Sequence, residues 1–136
     1  MNRAVLGIDA AWTPDRPSGV ALAAERGGQW HLVSVAPSYE RFMAPAEASE
    51  SAPAGVKGSL PDPARLLQAA RSWCECPIDV VAVDIPLSHE LITGRRTSDD
   101  AVSRAYSASW CTTHTPSAAR PGAIADRLKD AFAGAG

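Results

Sequence analysis

Val80-Val81-Ala82-Val83-Asp84-Ile85-Pro86-Leu87 decides how this chain is read. It is a short apolar run rich in β-branched residues, it carries an aspartate near its end, and Pro86 stops it. Such a run suits a strand in a sheet that is covered on both faces. Its counterpart opens the chain. Ala4-Val5-Leu6-Gly7-Ile8-Asp9-Ala10-Ala11-Trp12 has the same character and again places an aspartate toward the C-terminal end of the strand. Open α/β sheets assemble their sites beyond the carboxyl ends of their strands. If the two strands are parallel neighbours, Asp9 and Asp84 share a face about 5 Å apart. Two anions that close repel unless a cation neutralises them, and a hard divalent ion with oxygen ligands suits the gap. An aspartate at a strand end also serves simply to start a turn. Against that plain reading, Asp84 interrupts a run otherwise suited to burial, where an unpaired carboxylate is costly.

Outward from these strands, Trp12-Thr13-Pro14-Asp15-Arg16-Pro17-Ser18-Gly19 is a loop punctuated by proline and glycine. A strand over Val20-Ala21-Leu22-Ala23-Ala24, a tight turn at Gly27-Gly28 and a return strand over Trp30-His31-Leu32-Val33-Ser34-Val35 complete an antiparallel meander. Residues 37–61 are rich in Ala, Pro, Ser and Glu and read as a long connection, with Tyr39, Phe42 and Met43 marking a short helical turn. Asp62 then caps a helix with Pro63 at its first position. Leu66, Leu67, Ala70 and Trp73 form its apolar face, and Pro77 ends it. A strand, a crossover helix and a returning strand make a unit of one hand, so after the helix the Asp84 strand can run parallel to the meander. Further on, Thr97 or Ser98 caps a helix whose first turn holds Asp99 and Asp100. Ser107 to Pro121 is polar and interrupted. A last helix over about 122–132 carries Ile124, Leu128 and Phe132, and Ala133-Gly134-Ala135-Gly136 stops it.

At 136 residues, 46% hydrophobic and 21% charged, the chain reads as one globular α/β domain over 1–136. No run approaches the length of a membrane span and the N-terminus lacks the pattern of a signal peptide, so a cytoplasmic location and no membrane partner are expected. Cys74, Cys76 and Cys111 make an odd set that argues against a disulfide framework, and Cys74-Glu75-Cys76 lacks the second pair of a structural zinc site. They read as ordinary reduced thiols. His31, His89 and His114 have no metal-ligand spacing, although His89 follows the Asp84 strand closely enough to enter a site. A net charge of -2 provides no global basic footprint for nucleic acid, so binding to it would be local, through Arg95, Arg96, Arg104 and Arg120. Trp12 and Trp110 are suited to stacking on bases, but core or rim packing is the commoner role of such residues.

The motifs Gly7-Ile8-Asp9 with Trp12 and Ser18-Gly19-Val20, Val83-Asp84-Ile85-Pro86-Leu87, Gly94-Arg95-Arg96 leading to Asp99, Ser103-Arg104-Ala105-Tyr106, His114-Thr115-Pro116 and Arg120-Pro121-Gly122 occur in that order. Together they resemble an uncharacterised prokaryotic family described only as predicted nucleases with a ribonuclease H-like fold. The resemblance implies a ribonuclease H-like mixed sheet, an antiparallel three-strand meander plus a parallel strand after a crossover helix. It also implies a metal-dependent nuclease that hydrolyses phosphodiester bonds using Mg²⁺ or Mn²⁺. Asp9, Asp84 and Asp99 are the implied catalytic and metal-binding residues, with nucleic acid as the partner. Arg95 and Arg96 beside such a site would clamp a phosphate through their bidentate forks. Asp99 and Asp100 also have a plain reading, as acidic residues that favour a helix N-terminus. Ser98 stands where the family often has cysteine. The family continues past the last helix into another strand and acidic motif, so the chain is expected to be incomplete at its C-terminus. From this follow an exposed sheet edge, self-association and at most one weak metal site. The alternatives are a non-catalytic binding or structural module of the same fold and, less favoured, a phosphate-binding domain like those of actin-like ATPases and sugar kinases. Those proteins duplicate the module, and this chain has length for one.

Overall fold

The computed structural model describes residues 3–44, 55–88, 90 and 92–135. In chain order the elements are β1 (Ala4–Asp9), β2 (Gly19–Arg26), β3 (Gln29–Ala36), α1 (Tyr39–Met43), α2 (Pro63–Cys74), β4 (Val80–Asp84), α3 (Thr97–Tyr106), a 3-10 turn at Ser107–Ser109, and α4 (Ala123–Ala135). The strands form one four-stranded sheet in the order β3-β2-β1-β4. β1, β2 and β3 are an antiparallel meander, and β4 lies parallel to β1 after the α2 crossover, as the sequence indicates. Gly27 and Gly28 both adopt positive φ, 60° and 79°, the backbone that a two-residue hairpin turn requires and that only glycine adopts freely.

The alternation of each strand sorts its side chains. Ala4, Leu6 and Ile8 of β1 and Val20, Leu22 and Ala24 of β2 are buried on one face, beneath Tyr39 and Phe42 of α1, Leu66, Leu67 and Ala70 of α2 and Leu128 of α4. Asp62 caps α2 by accepting a hydrogen bond from the Arg65 backbone N–H at 3.1 Å, with Pro63 in the first turn. Cys74, four residues after Ala70, takes the buried position at the end of that face, so Trp73 turns to the rim and donates from Nε1 to the Phe42 carbonyl at 3.4 Å. Trp73 is thus not the core residue its spacing suggested.

The opposite face corrects the expectation of a sheet covered on both sides. Among the described residues its large apolar side chains stay open, Leu32 at 68% and Val35 at 69% exposure, with Trp30 and Val80 also exposed. Arg3 lies over the Trp30 ring at 5.5 Å and pairs with Glu25 at 2.6 Å. β4 reads as a continuous apolar run because Val81 and Val83 pack against the core while Val80 and Ala82 face outward. That pattern does not reveal which faces have a cover. At the far end, α4 continues to Ala135 rather than stopping after Phe132, consistent with the helix propensity of its alanines. Trp110 is 96% exposed and packs in neither core nor rim.

Candidate functional site

The parallel pairing of β1 and β4 sets Val5 against Val80, Gly7 against Ala82 and Asp9 against Asp84. This register is latched at its start by Asp79, whose backbone N–H donates to the Ala4 carbonyl at 2.9 Å while its Oδ2 accepts from the Ala4 N–H at 2.8 Å. At the other end the Ala10 N–H donates to the Asp84 carbonyl at 3.3 Å. A slip of one residue would send one of the aspartates to the opposite face. In register, matched positions on neighbouring parallel strands point to the same side, so Asp9 and Asp84 stand together on the open face, both solvent-accessible.

Beside them lies a shallow depression of about 620 Å³, with Gly7, Gly19, Ala21, Ala82 and Val35 contributing to its lining together with Asp9 and Asp84. Gly19 pairs with Asp9 on the other side, and a Cβ there would sit 3.6 Å from the Asp9 Cβ. The small residues leave room above the carboxylates. Their alternate placement on three strands was present in the sequence as a signal, but it becomes a floor only once the register is known. Two adjacent carboxylates accessible to water provide oxygen ligands of the kind a hard divalent ion takes. Among the described residues no third His, Cys, Asp or Glu joins them to make a larger metal-binding group.

Asp99, the expected third ligand, is not brought to that pair. It is 4% exposed at the start of α3, where Oδ1 accepts from the Arg96 guanidinium at 2.9 Å and Oδ2 accepts from Arg96 Nε at 3.0 Å and from the Arg96 backbone N–H at 2.9 Å. The Arg96 side chain, then its backbone N–H, hold the Asp99 carboxyl well below its ordinary range, at about 2. Arg96, rather than Thr97 or Ser98, is therefore the N-cap residue, because the carboxylate reaching back from Asp99 does the capping. Arg95 is likewise engaged within the protein. Its guanidinium donates to Asp100 at 2.7 Å, to Ser103 Oγ at 2.7 Å, to the Asp99 carbonyl at 3.0 Å and to Thr115 Oγ1 at 3.0 Å. Ser103 and Thr113 are within 3.2 Å of each other in the same network. Arg95 ties α3 to the segment after the 3-10 turn, with its guanidinium donors engaged there, whereas Arg96 is held to Asp99 through Nε and Nη2.

Near the carboxyl end of β1, Ala11 N–H donates to the buried Ser18 Oγ at 3.0 Å, closing the loop between β1 and β2. Trp12 meets His114 edge to face with ring centroids 5.5 Å apart, bringing the segment after α3 toward this loop. That pairing was not legible in the sequence, where the two residues are 102 positions apart and share no periodic pattern. Burial pushes the Tyr39 phenol above its ordinary value, opposed by its hydrogen bond with Ser18. His89, expected near the site, lies outside the described residues. No described helix is long and apolar enough to cross a membrane. Comparisons with protein-family models, with curated proteins and with solved structures return no match for this chain.

Proposed function

We propose that this protein is a metal-dependent nuclease of the ribonuclease H-like type. The single observation that carries the reading is the in-register pairing of Asp9 with Asp84 at the carboxyl ends of two parallel strands, beside an open depression with a small-residue floor. Asp9 and Asp84 would hold one Mg²⁺ or Mn²⁺ ion, and such an ion polarises a phosphoryl oxygen and lowers the pKa of bound water. Two carboxylates suffice for one magnesium ion that keeps several waters. The protein's own part is to hold the carboxylates side by side through the Asp79 latch and to leave space for a backbone phosphate above Gly7, Gly19 and Ala82. Asp99, Arg95 and Arg96 stand outside this reading as organisers of α3. The expected experiment uses labelled single-stranded, duplex and hybrid oligonucleotides with Mn²⁺ or Mg²⁺. Weak cleavage by the wild type, abolished in Asp84→Asn, supports the reading, and equal cleavage by both proteins contradicts it.

A second reading, a binding module that associates with another copy of itself, is favoured by one observation. β4 and β3 are the sheet edges, and the face between them carries exposed Trp30, Leu32, Val35 and Val80. Exposed apolar edges recruit further strands. Light scattering is expected to give a mass that rises with concentration and returns to monomer in Val80→Lys. A wild-type protein monomeric at every concentration counts against it.

A further inference from the structure

The turn that joins α2 to β4 carries a feature the nuclease reading does not use. Cys74 is the last residue of α2, Glu75 follows it in the left-handed conformation at φ 56°, and the chain doubles back so that Cys76 meets Cys74. The Cys76 thiol donates to Cys74 Sγ at 3.2 Å, and Cys74 donates to the Cys76 carbonyl at 3.3 Å. Cys74 is buried and Cys76 half-buried, whereas Cys111 is exposed and its thiol donates to the nearby Ser109 carbonyl at 3.3 Å. With a zinc site normally needing four ligands and no third metal-ligating side chain joining the pair among the described residues, a closed zinc centre does not fit.

We propose that Cys74 and Cys76 are a reversible dithiol pair that small disulfides oxidise to a bond across Glu75. The sulfurs have to close by roughly 1 Å to reach bonding distance, a matter of side-chain torsions about a turn that is already folded back. The Cys76 thiolate, on the more accessible side, attacks one sulfur of the small disulfide, and the other half leaves as a thiolate. The Cys74 thiolate then attacks the Cys76 sulfur of the mixed disulfide and expels the second half. Two protein thiols give up two protons and two electrons, and the small disulfide takes the electrons and leaves as two thiols. Hydrogen bonding to Cys74, before burial, holds the Cys76 thiol above its ordinary range, so Cys76 keeps its proton at rest. Cys76 sits three residues before Asp79, at the junction whose latch sets the register of Asp84.

The test uses the full chain with Cys111→Ser, which leaves this pair as the only cysteines. It is treated with oxidised glutathione, labelled with a maleimide under denaturing conditions and cut with trypsin, which releases residues 72–95 as one fragment. The expected result is a fragment two hydrogen atoms lighter, with reactive thiols falling from two to none and both returning after reduction. In Cys74→Ser the glutathione adduct is expected to persist on Cys76, because the resolving thiol is gone. A Cys111→Ser protein that keeps two free thiols, or that accumulates glutathione adducts without closing the bond, overturns the proposal whether or not the Cys74→Ser variant folds.

Discussion

Asp99 shows how far a single residue's surroundings govern what its chemistry offers. Its type and place in the motif order matched a metal ligand, yet the sequence could not show that Arg96, three residues earlier, folds back over both of its oxygens. Asp9 and Asp84 were legible because each sits at the end of a strand whose pattern is plain, and their meeting needed only the parallel crossover to be right. The ion pair at Asp99 has a pH signature. Its folded carboxyl, at about 2, is depressed below its ordinary 3.8, so the stability it contributes is fully present above about pH 4 and is lost as pH falls through 2. The helical Cα chemical shifts of α3 are therefore expected to hold from neutral pH to about 4 and to move toward coil values below it. In Asp99→Asn they should already be partly lost at neutral pH, by about 1 to 2 kcal/mol of local stability for the weakened charge-assisted bonds. An unchanged α3 in that variant would show the capping pair to be idle.

Among the elements, α2 is the one on which the site depends without touching it. It covers the core face with Leu66, Leu67 and Ala70, and its crossover returns the chain so that β4 lies parallel to β1. Its start was readable to the residue, from Asp62 and Pro63, since capping chemistry is local. Its end at about Cys74, ahead of Pro77, was legible as well, but the residue that closes its buried face was not, because whether Trp73 or Cys74 faces the core depends on how α1 and α4 crowd it. The hairpin was equally local in Gly27-Gly28, and the cap of α3 is local too, but it comes from the Arg96–Asp99 pair rather than from the commoner capping residues Thr97 and Ser98. Asp62→Ala removes the side-chain acceptor of the Arg65 N–H and should cost about 1 kcal/mol. Because α2 belongs to the main core, the loss is expected in the global denaturation midpoint. A change confined to exchange of the first-turn amides, with the midpoint unmoved, would mean that α2 frays independently of the sheet.

At the scale of the whole molecule, the described residues build a layer on one face of the sheet and leave the other face open, and the two carboxylates stand on that second side. The strand order and the parallel placement of β4 followed from sequence pattern. The open face did not, because a β-branched run looks the same whether or not another layer covers it. On the proposed nuclease reading, register alone would assemble a metal site, from Asp9 and Asp84 and without Asp99. Paramagnetic broadening of backbone amide signals by Mn²⁺ tests it most directly. Broadening is expected to centre on Gly7, Asp9, Gly19 and Asp84, to be weak in its titration and to be absent in both Asp9→Asn and Asp84→Asn. Broadening centred on Asp99 and Asp100, or surviving both substitutions, would contradict it.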